Sequence, residues 1–384
     1  MTDHMPDDLS AVGRDLRAYT DELRPKHAVV KNISGEWVLL RHADVVTAAL
    51  DDKTFSSAVS RYLQVPNGLD GVVHSKYRTI IDRYLTEHAL KPFVAEFERI
   101  AAELVASLLA NDAVVDAVHD IGAVFAVRAQ CAWLGWPKQL EPKLLNWMKQ
   151  NHAATRSGQQ TQTAAVAVQF DDIIRSVLIP VREAGETHTV TGKLCQEKID
   201  GRFLTEIELI SILRNWTGGD LGSMALCVGV LVAYLAKESV QNPHLLQKLR
   251  HTANQELELF IDEVLRIDNP FVSNRRVTTC PVHIGGRDIP QGARVKLNWT
   301  SANRDSAVFG THNFNPEKHA ADNLVYGIGK HVCPGRTLAT WQLRIALQAL
   351  LNKVNAIELA PHQPLEREVA PVGGYHRVPV FLTQ

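Results

Sequence analysis

One cysteine of this chain lies in a loop that is rich in glycine, the segment YGIGKHVCPGR from Tyr326 to Arg336. A cysteine can act as a nucleophile, as a metal ligand or as an inert core residue. As a nucleophile, Cys333 would need a histidine base beside it, and His331 lies two residues away on a loop, which is a weak arrangement. An inert core cysteine would leave the glycines unexplained. A dinucleotide-binding fingerprint fails, because Val332 occupies the place of its third glycine.

A thiolate ligand of a heme iron accounts for most residue types in this loop. The glycines at 327, 329 and 335 would let backbone N–H groups approach the sulfur. Pro334 suits the first turn of a helix that begins after the cysteine. The N-terminus of that helix would stabilise negative charge on the sulfur. The loop therefore predicts a heme that is bound through Cys333, with Gly327 and Gly335 among the residues that contact it.

A second group of polar side chains lies in a long helix, which is predicted from Thr205 to about Ser239 and begins with a capping box. Its middle contains three glycines, and each costs about 1 kcal/mol relative to alanine in a helix. Either close helix packing or a flat ligand against the helix would explain them. Asp220 and Ser223 are three residues apart and share a face. Together they could relay protons to a buried reaction centre.

Glu263 and Arg266 form an acid–base pair at positions i and i+3 of another predicted helix. Most such pairs lie at the surface and contribute about 0 to 1 kcal/mol. The neighbouring sequence favours a different interpretation, because Pro270 ends the helix and Arg276 follows soon after. A guanidinium that emerges beside a core helix is suited to holding a carboxylate.

The rest of the sequence predicts a mostly α protein, a large helical body with small β-sheets. Strand signals occur at 35–41, 281–285, 294–299 and 378–382. A chain of 384 residues could form two domains or one large domain. No internal repeat or low-complexity linker divides it, so a single domain over 1–384 is the simplest interpretation.

Composition excludes several classes of function. The formal net charge is -1, so the basic field of a nucleic-acid-binding protein is absent. The polar N-terminus has no apolar core for a signal peptide, which favours a cytoplasmic protein. The longest apolar run, from Leu221 to Ala236, is too short to span a membrane and is better explained as a buried helix. The five cysteines include no CxxC pair, which argues against a zinc site or a disulfide framework.

With these motifs, the chain resembles the cytochrome P450 family. The loop matches the family signature aromatic-Gly-x-Gly-x-His-x-Cys-x-Gly, and the spacing of Glu263 and Arg266 matches a second hallmark. The resemblance implies the P450 fold, with heme b (iron protoporphyrin IX) as cofactor and Cys333 as the ligand of its iron. Glu263 and Arg266 would then be structural residues that support the loop.

The resemblance also implies which residues hold the two heme propionates. Cations and strong hydrogen-bond donors are needed beside buried carboxylates. The residues that match these positions of the family are His74, Arg78, Arg276 and His331.

The sequence departs from the family pattern in two places. The family has an acid directly followed by threonine on the central helix, whereas Leu221 follows Asp220 here. Aligning by the downstream segment 234–237 instead puts Ser223 at the threonine position and Gly222 at the acid position, and we prefer this register. The second departure is Asn313, where many relatives carry an arginine that completes the network of Glu263 and Arg266. Asn313 could still donate a hydrogen bond.

The substrate pocket is predicted from segments that line pockets in similar proteins. The short stretch between Phe55 and His74 suggests a compact roof and a small substrate. Each predicted wall residue could equally belong to the core. The predicted wall residues are Leu63, Val65, Gly219, Phe271, Val272 and Tyr375.

The resemblance implies an enzyme that hydroxylates a small apolar or aromatic molecule, or removes an O- or N-alkyl group from it, with dioxygen. The segments 55–61, 65–68 and 214–217 look like the heme domains of bacterial enzymes that are fused to a reductase. No reductase follows residue 384, so electrons are expected from a separate ferredoxin and an NAD(P)H-dependent ferredoxin reductase. Four cations could dock an acidic ferredoxin: Lys76, Arg83, Lys330 and Arg336.

Two other functions remain open. One is a peroxygenase that uses hydrogen peroxide directly, which the altered proton relay makes less remote than it usually is for this family. The other is a heme protein that binds a ligand or senses a gas without oxidising anything. The pair of Asp220 and Ser223 argues against the second, because a binding protein needs no proton relay. We expect a monomer.

Overall fold

The computed structural model describes residues 4–5, 15–32, 34–110, 113–311 and 314–384. Helices dominate these residues, as the sequence predicts. The helices are α1 (Leu16–Leu23), α2 (His42–Leu50), α3 (Gly71–Asp82), α4 (Glu87–Leu90), α5 (Val94–Leu109), α6 (Val124–Leu134), α7 (Glu141–Ser157), α8 (Gln160–Glu183), α9 (Val190–Cys195), α10 (Glu206–Gln241), α11 (Leu245–Arg250), α12 (Asn254–Ile267), α13 (Trp299–Ala302), α14 (Ser306–Phe309), α15 (Pro316–His319) and α16 (Arg336–Lys353). A π-helix, Ala117–Ala123, leads directly into α6.

The strands are short, and the four segments with strand signals each contain one. The strands are β1 (His4–Met5), β2 (Val29–Asn32), β3 (Trp37–Leu39), β4 (Phe55–Ser56), β5 (Val115–Asp116), β6 (Lys198–Ile199), β7 (Arg202–Phe203), β8 (Ser273–Thr278), β9 (Val282–Ile284), β10 (Arg287–Ile289), β11 (Arg294–Asn298), β12 (Ala356–Leu359), β13 (Glu366–Arg367), β14 (Tyr375–Arg377) and β15 (Pro379–Thr383). The largest sheet has the order β1-β2-β3-β11-β8-β4. In it, β11 is parallel to β3, with Val295 opposite Trp37, and antiparallel to β8.

The long helix α10 crosses the core, which lies between it and α5, α6 and α16. Its 36 residues span about 54 Å at about 1.5 Å per residue. The predicted capping box is present: the backbone N–H of Thr205 donates to the Glu208 carboxylate at 2.7 Å. By length and hydropathy α10 could cross a membrane, but 72% of its most apolar stretch is buried inside the protein. We therefore interpret it as the core helix that the sequence predicts.

The glycines of α10 serve different purposes. A β-carbon at Gly218 would lie 3.0 Å from Cε1 of Phe170, so this glycine allows close packing against α8. A β-carbon at Gly219 would meet nothing within 4 Å, because Gly219 faces a cavity. A β-carbon at Gly222 would lie 3.1 Å from Nε2 of His152 on α7. The glycines in the middle of α10 therefore include positions of close packing and a position that faces a cavity.

Candidate active site

The loop that precedes α16 places Cys333 at the wall of a cavity of about 290 Å³. Gly327 and Gly329 have φ angles of 70° and 77°, in the left-handed region that side chains disfavour. The backbone N–H of Cys333 donates to the carbonyl oxygen of Tyr326 at 2.9 Å, which closes the turn. The glycines are therefore explained by the shape of the turn.

Burial of Cys333 raises the pKa of its thiol to about 11. The backbone N–H of Gly335 and the charges of Arg78 and Arg336 lower this pKa, and the Asp220 carboxylate raises it. The backbone next to α16 acts in the direction that the sequence predicts, but burial is the larger effect. A metal ion at the sulfur would deprotonate the thiol, so the thiolate and the metal depend on each other.

The cavity lies between this loop and the middle of α10. Loop residues on one wall are Tyr326, Gly327, His331, Cys333 and Gly335. Residues of α10 on the other wall are Asn215, Trp216, Gly219, Asp220, Ser223, Met224 and Cys227. Other elements contribute Asn67, Trp133, Phe271, Asn274, Arg276 and Trp299.

The polar groups around the cavity fit a heme with two carboxylate arms. Arg276 is a buried cation, and among the described residues it donates to the carbonyl oxygen of Arg275 at 2.8 Å. Burial lowers the pKa of Arg276. The Nε2 atom of His74 is buried without a hydrogen-bond partner among the described residues. A buried guanidinium and an unpaired imidazole nitrogen are what heme propionates require.

His331 and Arg78 connect the cavity to α3. The His331 ring lines the cavity, and its centroid lies 4.3 Å from that of His74. Burial and the charges of His74 and Arg276 lower the pKa of His331 to about 4. Arg78 donates to the carbonyl oxygens of Lys330 and Val332 at 3.1 and 2.8 Å. Arg78 therefore supports the backbone of the loop, and neither it nor His74 lies in the cavity wall.

Asp220 and Ser223 both line the cavity, so they share a face as the sequence predicts. The hydroxyl of Ser223 donates to the carbonyl oxygens of Gly219 and Asp220. The Oδ2 atom of Asp220 is buried and has no hydrogen-bond partner among the described residues. Burial raises the pKa of Asp220 to about 7. A carboxyl with this pKa can hold and release a proton near neutral pH.

Glu263 and Arg266 form a buried pair, with side chains 1% and 4% exposed. The guanidinium donates to both carboxylate oxygens, at 2.7 and 2.9 Å. Burial raises the pKa of Glu263, but the hydrogen bonds from Arg266, from the backbone of Asn315 and from His319 outweigh it and lower the pKa. The interpretation as a surface ion pair is therefore wrong.

The partners of this pair lie in the segment that leads to the cysteine loop. Arg266 donates to the carbonyl oxygen of Asn303, and the side chain of Asn303 accepts from the backbone N–H of Leu324 at 2.7 Å. His319 contacts Glu263 through Nδ1 at 2.7 Å. Sequence reasoning missed Asn303 and His319, and named Asn313, which lies outside the described residues.

Two of the six predicted pocket residues, Gly219 and Phe271, line the cavity. The prediction is corrected for Leu63, Val65, Val272 and Tyr375, which are not in its wall. Val65 is fully buried in the core, and its backbone N–H donates to Ser211. The hydroxyl of Tyr375 accepts from Lys237 at 2.8 Å, and Arg367 lies 3.8 Å from its ring centroid.

Aromatic wall residues were missed by the sequence reasoning. Trp133 and Trp216 line the cavity with their ring centroids 5.1 Å apart. Apolar spacing could have placed both residues in the core. It could not have shown that helices α6 and α10 bring them to the same cavity.

Each of the four cations expected to dock a ferredoxin lies close to a carboxylate. These pairs are Lys76–Asp200 (2.6 Å), Arg83–Glu197 (2.6 Å), Lys330–Asp52 (2.7 Å) and Arg336–Asp262 (3.6 Å). Their surface is therefore mixed in charge, and it is not a simple basic patch.

Comparison with known proteins shows similarity to one family. A sequence model described as "Cytochrome P450" matches residues 255–369, which include Glu263, Arg266 and Cys333. Cyclomarin C epoxidase CymV of Salinispora arenicola is 27% identical over 365 residues, which cover 90% of this chain and 91% of the relative. Erythromycin C-12 hydroxylase of Saccharopolyspora erythraea is 26% identical and covers 86% of this chain and 85% of the relative. The chain is thus similar to cytochrome P450s over most of its length.

Solved structures of other P450s share the fold of this one. The P450 CYP109Q5 from Chondromyces apiculatus has a TM-score of 0.85 at 22% identity, and it covers 100% of this chain and 99% of its own. A mutant of P450 EryK in complex with erythromycin B has a TM-score of 0.84 at 22% identity and covers 96% of both chains. The curated relatives named above are an epoxidase and a hydroxylase, and the chain is an enzyme of the same heme-thiolate monooxygenase class. The heme and iron that are expected for this class agree with the polar groups around the cavity.

Proposed function

We propose that this P450 oxidises a small apolar or aromatic molecule, by hydroxylation or by O- or N-dealkylation. Dioxygen is the oxidant, and electrons come from a separate ferredoxin and its NAD(P)H-dependent reductase. The observation that carries the proposal is one cavity with Cys333 on one wall and Asp220 and Ser223 on the opposite wall. We further propose a cytoplasmic bacterial monomer in which residues 1–384 form a single heme domain.

Heme b is the proposed cofactor. Cys333 would ligate its iron, and Arg276, His331 and His74 would neutralise and hydrogen-bond its propionates, while Arg78 supports the loop. When bound, the heme supplies the binding and cleavage of dioxygen.

The chain's own residues supply protons and exclude bulk water. Asp220 holds a proton at Oδ2 near neutral pH, because burial has raised its pKa to about 7. The Ser223 hydroxyl lies on the same face and can pass a proton between solvent and the cavity. Trp133, Trp216 and Phe271 make the wall apolar, which favours an aromatic or aliphatic substrate.

A peroxygenase is the second candidate, because Gly222 occupies the position where the family has an acid. Hydrogen peroxide already carries the two protons and two electrons that dioxygen must otherwise receive, so an enzyme that starts from it needs no delivered protons. The resemblance of 55–61, 65–68 and 214–217 to reductase-fused enzymes remains a prediction. It would favour an efficient ferredoxin-driven reaction.

The two candidates are separated by turnover of one substrate under two conditions. Substrates are first found by the change of the heme spin state that they cause. Product is then measured with NADPH, ferredoxin and reductase, or with hydrogen peroxide alone. We expect the first condition to be at least about tenfold faster, and Asp220→Asn to slow the first condition only. Equal rates would favour the peroxygenase. A ligand that binds and is never oxidised would favour a binding protein.

A further inference from the structure

A histidine of α7 lies against α10 at Gly222, the position where the family has an acid. A β-carbon at Gly222 would lie 3.1 Å from Nε2 of His152. This distance is tighter than ordinary van der Waals contact, so the imidazole occupies the space that a side chain at 222 would enter. The ring points at α10 one residue before Ser223, which lines the cavity.

His152 belongs to a cluster of three imidazoles. The charges of His119, on the π-helix, and His376, on β14, lower the pKa of His152, which places the three rings within electrostatic range of one another. The rings of His119 and His376 are 5.6 Å apart in an edge-on arrangement. The side chain of His376 is 32% exposed, so the cluster extends from half-exposed surface to the helix in the core.

The hydrogen bonds of His376 indicate its tautomer. The guanidinium of Arg156 lies 3.2 Å from its Nδ1, and an arginine can only donate. Nδ1 is therefore assigned as the acceptor of this hydrogen bond, and Nε2 as the nitrogen that carries a hydrogen. Arg156 is in turn held by Glu368 at 2.9 Å.

We propose that His376, His119 and His152 form a proton path that reaches α10 beside Gly222 and Ser223. In this path His152 acts as a positioning residue for proton delivery. It lies on a different helix, and it replaces the acid that position 222 lacks. The inference rests on the monooxygenase reaction, which consumes two protons and two electrons as one atom of dioxygen enters the substrate and the other becomes water. The electrons come from a reduced carrier protein.

A neutral imidazole is suited to this task, because one nitrogen accepts a proton while the other releases one. Burial, and then the charges of Arg156, His119 and His376, lower the pKa of His152 to about 4. The ring is therefore neutral at pH 7. The charged groups that face the rest of the cluster are Asp116, Asp120 and Lys149 beside His119, and Glu368 beside Arg156. Within the described part of the chain, His152 makes no hydrogen bond to another residue, so its nitrogens are free to bind water.

The geometry is tested by NMR titration of the histidine side chains in the reduced, carbon monoxide-bound holoprotein. The His152 signal is assigned by its loss in His152→Gln. Introducing Gly222→Asp places a carboxylate beside the ring, which favours the imidazolium, and raises the His152 pKa by roughly one unit or more. Gly222→Asn has the same shape without the charge and leaves the pKa low. Equal titration in both variants would overturn the proposed contact.

The function is tested on reduced holoprotein that is mixed with dioxygen. Without substrate or ferredoxin the protein returns to its oxidised form by losing one electron to dioxygen, which leaves as superoxide or, with a proton, as the hydroperoxyl radical, so proton delivery affects the rate. The rate of return to the oxidised spectrum is followed from pH 5.5 to 8.5, in light and heavy water. We expect His152→Gln to slow the return about tenfold and to change its solvent isotope effect. Asp220 remains as a second donor, so the loss is smaller than the roughly hundredfold or more for a sole general acid. His251→Gln, at an exposed histidine after α11, is the matched control and behaves as wild type.

The double variant His152→Ala/Gly222→Asp decides between proton delivery and packing. If the carboxylate restores the rate and the isotope effect that His152→Ala loses, the proposal is supported. If Gly222→Asp does not restore the rate, His152 has a packing role and the proposal is overturned. A His152→Gln variant that matches wild type would also overturn the proposal. A wild-type protein without the spectrum of a thiolate-ligated heme would instead refute the proposed function itself. That spectrum is recorded first.

Discussion

At the scale of single residues, burial around one cavity sets the protonation of its polar groups. The pKa of Asp220 rises to about 7 and that of the Cys333 thiol to about 11, while that of His331 falls to about 4. In each case the uncharged form is favoured, because the low dielectric of the interior penalises charge. A cofactor that brings an iron and two carboxylates would reverse this penalty for the thiol and the cations.

The unpaired carboxyl of Asp220 leads to a prediction about stability. Its pKa in the folded protein, about 7, lies above the ordinary value of 3.8 for an aspartate. Its favourable contribution is complete below pH 3.8 and is lost as the pH rises toward 7. Asp220→Asn should therefore raise the free energy of unfolding by about 2 kcal/mol at pH 8 and by much less at pH 4.5. Urea denaturation of the holoprotein measures this difference.

Asp288→Asn is the control for this prediction, because the Asp288 side chain is 93% exposed. It should change stability little at either pH. An Asp220→Asn effect of the same size at both pH values would contradict a raised pKa.

Sequence spacing predicted the residues of the site that lie close together in the chain. Asp220 and Ser223 share a helical face, and Cys333 has its glycines within a few positions. His319 and His152 could not be found in this way. Each contacts a partner on another element, and no local period records such a contact.

At the scale of secondary structure elements, α12 is fastened to the segment before the cysteine loop by one buried ion pair. Arg266→Lys keeps the charge but removes the planar fork that bonds Glu263 and Asn303 together. Because breaking a buried pair leaves a charge without a partner, we expect a loss of about 3 to 5 kcal/mol in the free energy of unfolding. Urea denaturation measures the loss, and the heme content of the purified variant should fall with it.

Arg99→Lys is the matched control for this pair. Arg99 pairs with Glu96 and Glu103 on the exposed face of α5, so its replacement should change the free energy of unfolding very little. If Arg266→Lys were as mild as Arg99→Lys, Arg266 would not be the fastening of α12.

The contact between the π-helix and α10 gives a second prediction at this scale. A β-carbon at Gly122 would lie 2.7 Å from Cα of Ala225, which is backbone and cannot rotate away. Gly122→Ala should therefore destabilise the protein by about 1 to 3 kcal/mol, although alanine is the better helix former. Thermal or urea unfolding measures it, beside the exposed Ala102→Gly, which should cost about 1 kcal/mol from propensity alone. A more stable Gly122→Ala variant would show that the helices are less closely packed.

The secondary structure elements could be predicted where their signals are local in the sequence. The capping box and apolar run of α10 are local, and its start at Glu206 agrees with the sequence to within one residue. The pocket prediction failed at Val65 and Tyr375, because apolar and aromatic residues suit a core as well as a cavity wall. Only the packing of several helices decides between the two.

At the scale of the whole molecule, the surface near the cysteine loop has nearly balanced charge. Lys330 and Arg83 each pair with a carboxylate, yet they are 50% and 60% exposed and available to a partner. Replacing both by glutamate would place like charges side by side and repel an acidic ferredoxin. We expect slower reduction by a [2Fe–2S] ferredoxin at low ionic strength and a weaker dependence on salt. Stopped-flow reduction measures both.

Arg99→Glu, on α5, is the control for the charge change and should leave reduction unchanged. Unchanged rates at low salt in the double variant would contradict docking at this surface.

The measurement that tests the central claim most directly is the absorption spectrum of the reduced protein under carbon monoxide, recorded beside Cys333→Ser. A thiolate ligand should give a strongly red-shifted Soret band that the variant loses. A band that survives in Cys333→Ser, a band at the position of histidine-ligated heme, or a protein that takes up no heme would contradict the role of Cys333.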